Sequence, residues 1–330
     1  MANLISERYP MLKFLFLFIL LVNIGNGGPS DSSTVIVKKN QISKLRLGVV
    51  AAGTVGFGIL TYDYFNRVWW KPTKVKKFIW RDDWNDVLKA DKAGHLYASY
   101  VLSNVYKSIF KWVGFSGKTA SLFGAGISTL YEVGVVELTD GFTTQWGFSP
   151  TDVISNMIGA FFPVAQEYFP GLQAVTFKFS YTPSGYTWLD YLRVGSLKDA
   201  LYKKQFHTDY NGMTFWMSFE FQRLLPEQVE KFIPDFLNLA VGYAVRNINY
   251  SGGGYTELYI AIDYNLLKVD TKIDVLNRII YTLNYIHFPA PTLRIKPKLK
   301  FYYLYFRNWR SIGDKFAYIN ELFDNKTRNW

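Results

Sequence analysis

Asp91, His95 and Ser99 stand four residues apart, and so do Asp152 and Asn156. On a helix each such pair shares a face, one turn apart. Glu132 and Asp140 are two more carboxylates in apolar surroundings, and Lys92 follows Asp91. Ionisable groups in greasy segments are costly unless paired, so a cluster of them needs an account. His95 offers a general base that Glu132, Asp140 or another carboxylate would orient. Ser99 and Ser103 lack the strained turn that presents a nucleophile. A metal reading would join His95 to Glu132, Asp140 or Asp152 as a nitrogen–oxygen site. One histidine without cysteine is a thin ligand set, so no metal and no cofactor are expected. A reading without chemistry also stands: Asp152 caps its helix, Asp91 opens its own, and His95 pairs with a carboxylate to lock helix register. Binding of a lipid headgroup or a partner protein is a further reading. The candidate catalytic residues are therefore His95, Glu132 and Asp140. Asp91, Lys92, Asp152 and Asn156 form the binding or structural cluster. His207 and His287 read as ordinary loop or sheet-edge residues.

Three helical patterns must position these groups. From Lys92 to Trp112, Leu96, Tyr100, Val101, Val105, Ile109 and Phe110 recur near the helical period, with Ser99, Ser103, Lys107 and Lys111 opposite. From Lys118 to Leu138 the run carries Gly124-Ala125-Gly126, a close-packing signature. The third helix has a start signal, with Ser149 as N-cap, Pro150 at the first position and Asp152 where a capping-box acid sits. An earlier glycine-rich apolar run, Leu47 to Phe65, is either a membrane span or a helix buried in a bundle. The Trp69–Trp70 pair beside Arg67 and Lys71 fits an interface anchor.

After Gly171 the period changes to alternation. Strand patterns run through Val175–Tyr181, Phe215–Gln222, Leu237–Arg246, Glu257–Tyr264 and Lys298–Tyr305, with a helix-like stretch from Ile273 to Ile286 between the last two. Each strand has one greasy face and one polar or small face, as in an antiparallel sheet. The greasy face would meet a core in a soluble sheet and lipid in a small barrel, whose narrow interior would take Ala240, Gly242 and Ala244. The predicted class is α+β: an N-terminal membrane-associated helical bundle followed by an antiparallel β-sheet or small β-barrel.

The predicted organisation is a signal peptide over 1–27, a linker over 28–45, the helical unit over 46–170, the β unit over 171–308 and a polar tail over 309–330. Lys13 ahead of the apolar core Phe14–Ile24, then Gly25 to Gly28, carry the signal reading. Apolar residues make up 49% and charged ones 19%, greasier than an average soluble domain but not a uniform set of spans. Aromatics at 18% suit interface belts and aromatic-studded strands. The net charge of +11 fits an anionic lipid surface, and no nucleic-acid motif accompanies it. The expected partners are membrane lipid and another envelope protein, with no nucleic acid. The 330 residues hold no cysteine, which removes a disulfide scaffold, a Cys nucleophile and an acylated-Cys anchor from them.

Asp91-Lys92-Ala93-Gly94-His95, then Glu132, Asp140-Gly141, Trp146-Gly147-Phe148-Ser149-Pro150-Thr151-Asp152, Asn156 and Gly159-Ala160 together resemble the YfiM-like family of bacterial envelope proteins of unknown function. The set is similar, more loosely, to the helical core of VanZ-like membrane proteins. Longer members of Bacteroidota type look similar further on, through Lys178-Phe179-Ser180-Tyr181, Asp209 to Ser218, Leu239 to Tyr243 and Phe288-Pro289-Ala290-Pro291. The resemblance implies an envelope location, in the outer membrane or facing the periplasm of a Gram-negative bacterium, and no particular reaction. Short members look like lipoproteins, so this chain would attach through its own helices or strands. The expected function is structural or lipid-interacting rather than enzymatic. The alternative is a hydrolase or transferase acting on an envelope lipid or glycan through His95.

Overall fold

The computed structural model describes residues 41–182, 209–225, 228, 232–248 and 253–303. The predicted signal peptide and polar tail, and His207, lie outside them. The chain divides into two compact units. One is helical and holds the described residues up to Trp84, then Lys92–Ala174 and Leu266–Leu283. The other holds Asn85–Asp91, Val175–Asn265 and the described residues from Asn284 onward, and is built on a sheet.

In the helical unit, α1 spans Lys44–Phe65 and starts at Ser43, whose Oγ accepts from the Arg46 amide at 3.3 Å. The Ser43 amide donates to the Val113 carbonyl at 2.9 Å, and Arg46 Nη1 to the Trp112 carbonyl at 2.7 Å. The start of α1 is thereby tied to the end of α2, Ala90–Val113. Helix α3, Gly117–Tyr131, runs on through a π-helical turn, Glu132–Glu137, and ends at Asp140. Helix α4, Pro150–Tyr168, begins as the sequence implies: the Ser149 hydroxyl accepts from the Asp152 amide at 3.1 Å, with Pro150 at the first position. Residues 75–81 lie along 141–148, with amide-to-carbonyl bonds Val75 to Phe142, Ile79 to Gly141, Phe148 to Ile79 and Arg81 to Phe148. That ladder holds the segment leading to Asp83 beside the start of α4.

Close backbone approach holds α2 against its neighbours. A Cβ on Gly124 of α3 would lie 2.4 Å from the Ser103 carbonyl oxygen, and one on Gly159 of α4 would lie 2.1 Å from that of Leu96. No side chain fits at either point. Hydroxyls use the closeness: Ser128 Oγ donates to the Ser99 carbonyl at 2.9 Å and Ser103 Oγ to the Ala160 carbonyl at 2.8 Å. Val50, Tyr106, Ile109, Phe110, Val113 and Ala120 form a buried apolar cluster, and the remaining interior is small and polar. Ser99, Ser103, Ser121, Ser128, Asn156 and Ala160 are buried, while Leu45, Ile59, Leu130, Ile154, Ile158 and Phe161 are exposed. A last helix of this unit, α5, covers Asp274–Leu283.

The sheet unit has six antiparallel strands in sequence order: β1 Val175–Tyr181, β2 Met213–Phe219, β3 Leu237–Arg246, β4 Tyr255–Tyr264, β5 Thr292–Lys296 and β6 Lys300–Tyr302. Strand β5 adds to the five alternating runs of the sequence. It too alternates, but it is only five residues long and sits between Pro291 and Pro297. The small and polar face is the covered one. Trp216, Ala240, Ala244, Tyr259 and Ala261 pack together on it. Met217, Leu239, Val241, Leu258 and Ile260 on the other face are exposed.

The small-barrel expectation is corrected to an open sheet. Among the described residues β6 does not pair with β1. The outer edge of β1 is taken at its middle by residues 285–287: the Phe179 amide donates to the Tyr285 carbonyl at 3.0 Å, and the His287 amide to the Phe179 carbonyl at 2.9 Å. Closure needs two free edges of matching length. Here one edge is engaged and the other ends in a three-residue strand.

Gly159→Ala is expected to destabilise the folded chain by about 1–3 kcal/mol, the usual penalty for forcing atoms into a closed contact. Thermal unfolding in detergent against Gly126→Ala checks this, since nothing lies within 4 Å of a Cβ at Gly126.

Candidate functional site

The centre of the helical unit is an ammonium group between two carboxylates. Lys92 Nζ lies 2.6 Å from Asp152 Oδ1 and 2.7 Å from Asp83 Oδ1, with all three side chains under a tenth exposed. Asp83 is held further by the hydroxyls of Ser149 at 2.5 Å and Thr151 at 2.8 Å. Burial alone would push the Asp83 carboxyl up. Hydrogen bonds from Lys92, Ser149 and Thr151, with the Lys92 charge, outweigh it and hold the group at about 2. Asp152 therefore does two things: its amide closes the helix cap and its carboxylate takes Lys92.

His95 stands next to this pair. Its Nε2 is 3.7 Å from Asp152 Oδ1, and its Nδ1 is 3.2 Å from Asn156 Oδ1 and 3.4 Å from Glu137 Oε1. Asn156 also accepts from Ser99 Oγ at 2.9 Å and donates to Glu137 Oε1 at 3.4 Å. Lys92, His95, Ser99, Glu137, Asp152 and Asn156 thus form one polar centre within the unit. Glu132 attracts His95 electrostatically. Asp140 accepts from Trp70 Nε1 at 2.7 Å, an indole that is fully buried. Asp91, at the head of α2 and grouped with the sheet unit, accepts the Tyr210 hydroxyl. His95 and Asp152 offer a nitrogen and an oxygen donor of the type a hard or borderline cation takes. The cation at Asp152 is the Lys92 ammonium. His95, with a side chain 20% exposed, is the more open member of the His95–Asp152 pair.

Sequence reasoning missed Glu137 and Asp83. Glu137 follows Glu132 by five residues, a spacing that an α-helix splays to different faces. The π turn from Glu132 to Glu137 closes its bonds one residue further on and so brings both glutamates round toward His95. Asp83 lies before α2, outside any periodic segment. Its signal was the paired acid, Asp82-Asp83, ahead of an apolar helix.

A second buried ionic centre was also missed, in the sheet unit. Lys178 Nζ of β1 lies 2.7 Å from Asp263 Oδ2 of β4, and His287 Nδ1 lies 2.9 Å from Asp263 Oδ1, with all three side chains 1% exposed. Ser218 Oγ donates to Asp263 Oδ2 at 2.6 Å, and Lys178 Nζ to the Tyr264 carbonyl at 2.7 Å. The His287 ring stacks on Trp216 at 3.8 Å between centroids. His287 is thus a buried residue of the covered face rather than a loop or edge residue. A carboxylate only accepts, so Nδ1 carries the ring proton. Burial pushes His287 below its ordinary value, with Asp263 opposing and Lys178 assisting. Burial pushes Asp263 up, but the His287 bond and the Lys178 charge overcome it and hold it at about 2. Beside this centre Glu257 takes Arg246 at 2.7 Å and Arg294 at 2.8 Å.

These features define an α+β protein whose helical half encloses an ion-paired polar centre and whose sheet buries its charged face. Residues 80–167 match a family model described as Predicted periplasmic lipoprotein (DUF2279). The match covers well under half of the chain, yet it contains Asp83, Lys92, His95, Glu132, Glu137, Asp140, Asp152 and Asn156 and none of the sheet. The description names a compartment and a lipid-anchored class, and no reaction. The acylated cysteine of such an anchor is not among these 330 residues. No curated protein and no solved structure matches the chain.

Lys92→Met is expected to cost about 3–5 kcal/mol, because it leaves two buried carboxylates without their cation. Adding Asp83→Asn and Asp152→Asn to that variant should recover much of the loss, read as the midpoint of thermal unfolding. The sheet centre predicts acid sensitivity. His287 has a folded value below its ordinary 6.5, so the unfolded chain takes up the proton first and stability declines as pH falls below about 6.5. Asp263 is held below its ordinary 3.8, so its contribution persists above that value and is lost as pH falls toward 2. In a series of melts from pH 8 to 3, His287→Gln should remove the upper part of the decline and leave the lower part.

Proposed function

We propose that this chain is an exported, membrane-associated protein of the bacterial cell envelope with a structural or lipid-interacting role. The small-residue helix contacts, with many large apolar side chains left exposed around them, carry the reading. The helical unit buries one apolar cluster, Val50, Tyr106, Ile109, Phe110, Val113 and Ala120, yet Leu45, Ile59, Leu130, Ile154, Ile158 and Phe161 stay exposed, and serine, glycine, alanine and a paired charge centre make the contacts between α2, α3 and α4. Exposed apolar side chains around close backbone contacts suit helices packed in lipid, where small residues allow that contact and polar groups must be satisfied internally. Lys44–Phe65 and Gly117–Asp140 are each long and apolar enough to cross a bilayer. The 22 residues of α1, at about 1.5 Å each, reach about 33 Å, against a hydrocarbon core of about 30 Å.

The segment after α1 suits a headgroup layer. Lys71, Lys74, Lys76 and Lys77 are exposed there, followed by exposed Trp80 and Trp84. Lysines with indole rings favour the membrane–water boundary and anionic lipid. The family description of residues 80–167 supports the envelope. The resemblance of the motif set to YfiM-like proteins and VanZ-like cores supports the same compartment. Outer membrane and periplasm-facing inner membrane both fit this reading.

One observation favours a second reading, chemistry at His95 on an envelope lipid or glycan. The ring has a carboxylate near each nitrogen and is partly open. Glu137 would orient it as a general base.

Cell fractionation tests the main reading. The chain is expected in carbonate-washed membranes and requires detergent for release; recovery in the soluble periplasm sinks it. His95→Ala separates the two readings. A folded variant with unchanged envelope lipid and glycan composition removes catalysis, while a changed composition with unchanged unfolding midpoint supports it.

A further inference from the structure

We infer that the outward face of the sheet and the β5–β6 hairpin form a docking surface for an anionic phospholipid bilayer. The outward rows of β1–β4 contain no charged residue. One row runs Phe177, Met217, Val241, Ile260 through the paired strands and continues to Leu293 and Phe301. Met217, Val241 and Ile260 are 38%, 43% and 37% exposed. Met213, Phe215 and Val245 at one end of this face are buried, and the exposed apolar part from Met217 to Ile260 is surface of the kind that marks an interaction site. Every charge of the sheet network lies on the opposite, covered face, so the outward face has no polar function of its own.

The hairpin decides the occupant. Residues 295–301 are all exposed, and they read Ile295-Lys296-Pro297-Lys298-Leu299-Lys300-Phe301. Leu299 is 72% exposed and Tyr303, just beyond, is 81% exposed. Lys300 Nζ stands over the Tyr302 ring at 5.3 Å. Lys296, Lys298 and Lys300 alternate with Ile295, Leu299 and Phe301 at the end of the apolar row, with Lys300 on the side opposite Phe301. Lysine stems lie along apolar surface while their heads reach outward to phosphate, and the neighbouring leucine and aromatics enter the acyl boundary. An anionic bilayer offers both the acyl chains and the opposite charge.

This surface rests on the membrane-associated reading for the presence of the bilayer, but its test separates the two. The chain has no cysteine, so Leu299→Cys creates a single labelling position on an exposed side chain. The full chain, labelled there with an environment-sensitive fluorophore, is reconstituted into vesicles of phosphatidylethanolamine and phosphatidylglycerol carrying lipids with a quencher on the acyl chain. The probe is expected to be quenched, and to lose quenching in phosphatidylcholine vesicles. Adding Lys296→Glu, Lys298→Glu and Lys300→Glu should weaken docking by roughly 100-fold or more, at about 1 kcal/mol per lysine. Circular dichroism verifies that the exposed substitutions leave the fold intact. A probe that stays unquenched while the chain remains in the vesicles overturns the docking surface and leaves the helical reading standing. Quenching that persists unchanged in phosphatidylcholine and in the charge-reversed variant overturns it as well. Energy transfer between labelled copies that survives dilution into excess lipid would assign the face to a second copy instead.

Discussion

An ammonium group enclosed by helices constrains everything packed around it. Lys92 stands in α2 of a bundle with an apolar exterior, and an unpaired charge there is costly. Two carboxylates meet it, and they come from different places: Asp83 from the segment before α2, and Asp152 from the first turn of α4. The ladder between residues 75–81 and 141–148 delivers the first. The cap at Ser149 aims the second, while Ser149 and Thr151 also hold Asp83. Gly159 lets α4 come close enough to α2 for the ion pairs to form. His95, Glu137 and Asn156 occupy the next turns of the same contact.

The sheet unit solves the same problem with different geometry. It covers its small and polar row and leaves much of the apolar row exposed. Lys178, Asp263 and His287 come from β1, β4 and the segment across the β1 edge, so their mutual satisfaction depends on the register of the whole sheet. A one-residue slip in any strand would move its charge to the apolar face. Buried ion pairs add little net stability over apolar packing, but removing a partner is costly, and that asymmetry favours one register over its neighbours. Ala240, Gly242 and Ala244 leave room on the inner face for the Trp216 ring and the stacked His287.

Much of this was legible in the residues. The start of α4 at Ser149 and Pro150 and the alternation of β1, β3 and β4 follow the sequence closely, as does the helical repeat of α2. The cluster around His95 was legible in part: Lys92, His95, Asp152 and Asn156 meet, while Asp140 binds Trp70. Glu137 was hidden because regular helix geometry points it away from Glu132, and only the π turn reverses that. His287 was hidden because its partners are a carboxylate 24 residues earlier and a lysine on the first strand. Strand β5 was hidden by its shortness.

Caps, helical repeats and strand alternation are decided by the sequence alone, because they depend on groups within a few residues of one another. A period of two likewise divides each strand into a greasy and a small or polar face. Which face is covered, whether the sheet closes, and which carboxylate meets which cation depend on segments that the chain brings together from afar. The tertiary structure decided those: residues 285–287 engage the β1 edge and leave the sheet open, and Asp83 and Asp152 converge on Lys92. The physical reason is the same in each case. The cost of an unpaired buried charge or strand edge is set by whatever surrounds it, and only the assembled fold supplies those surroundings.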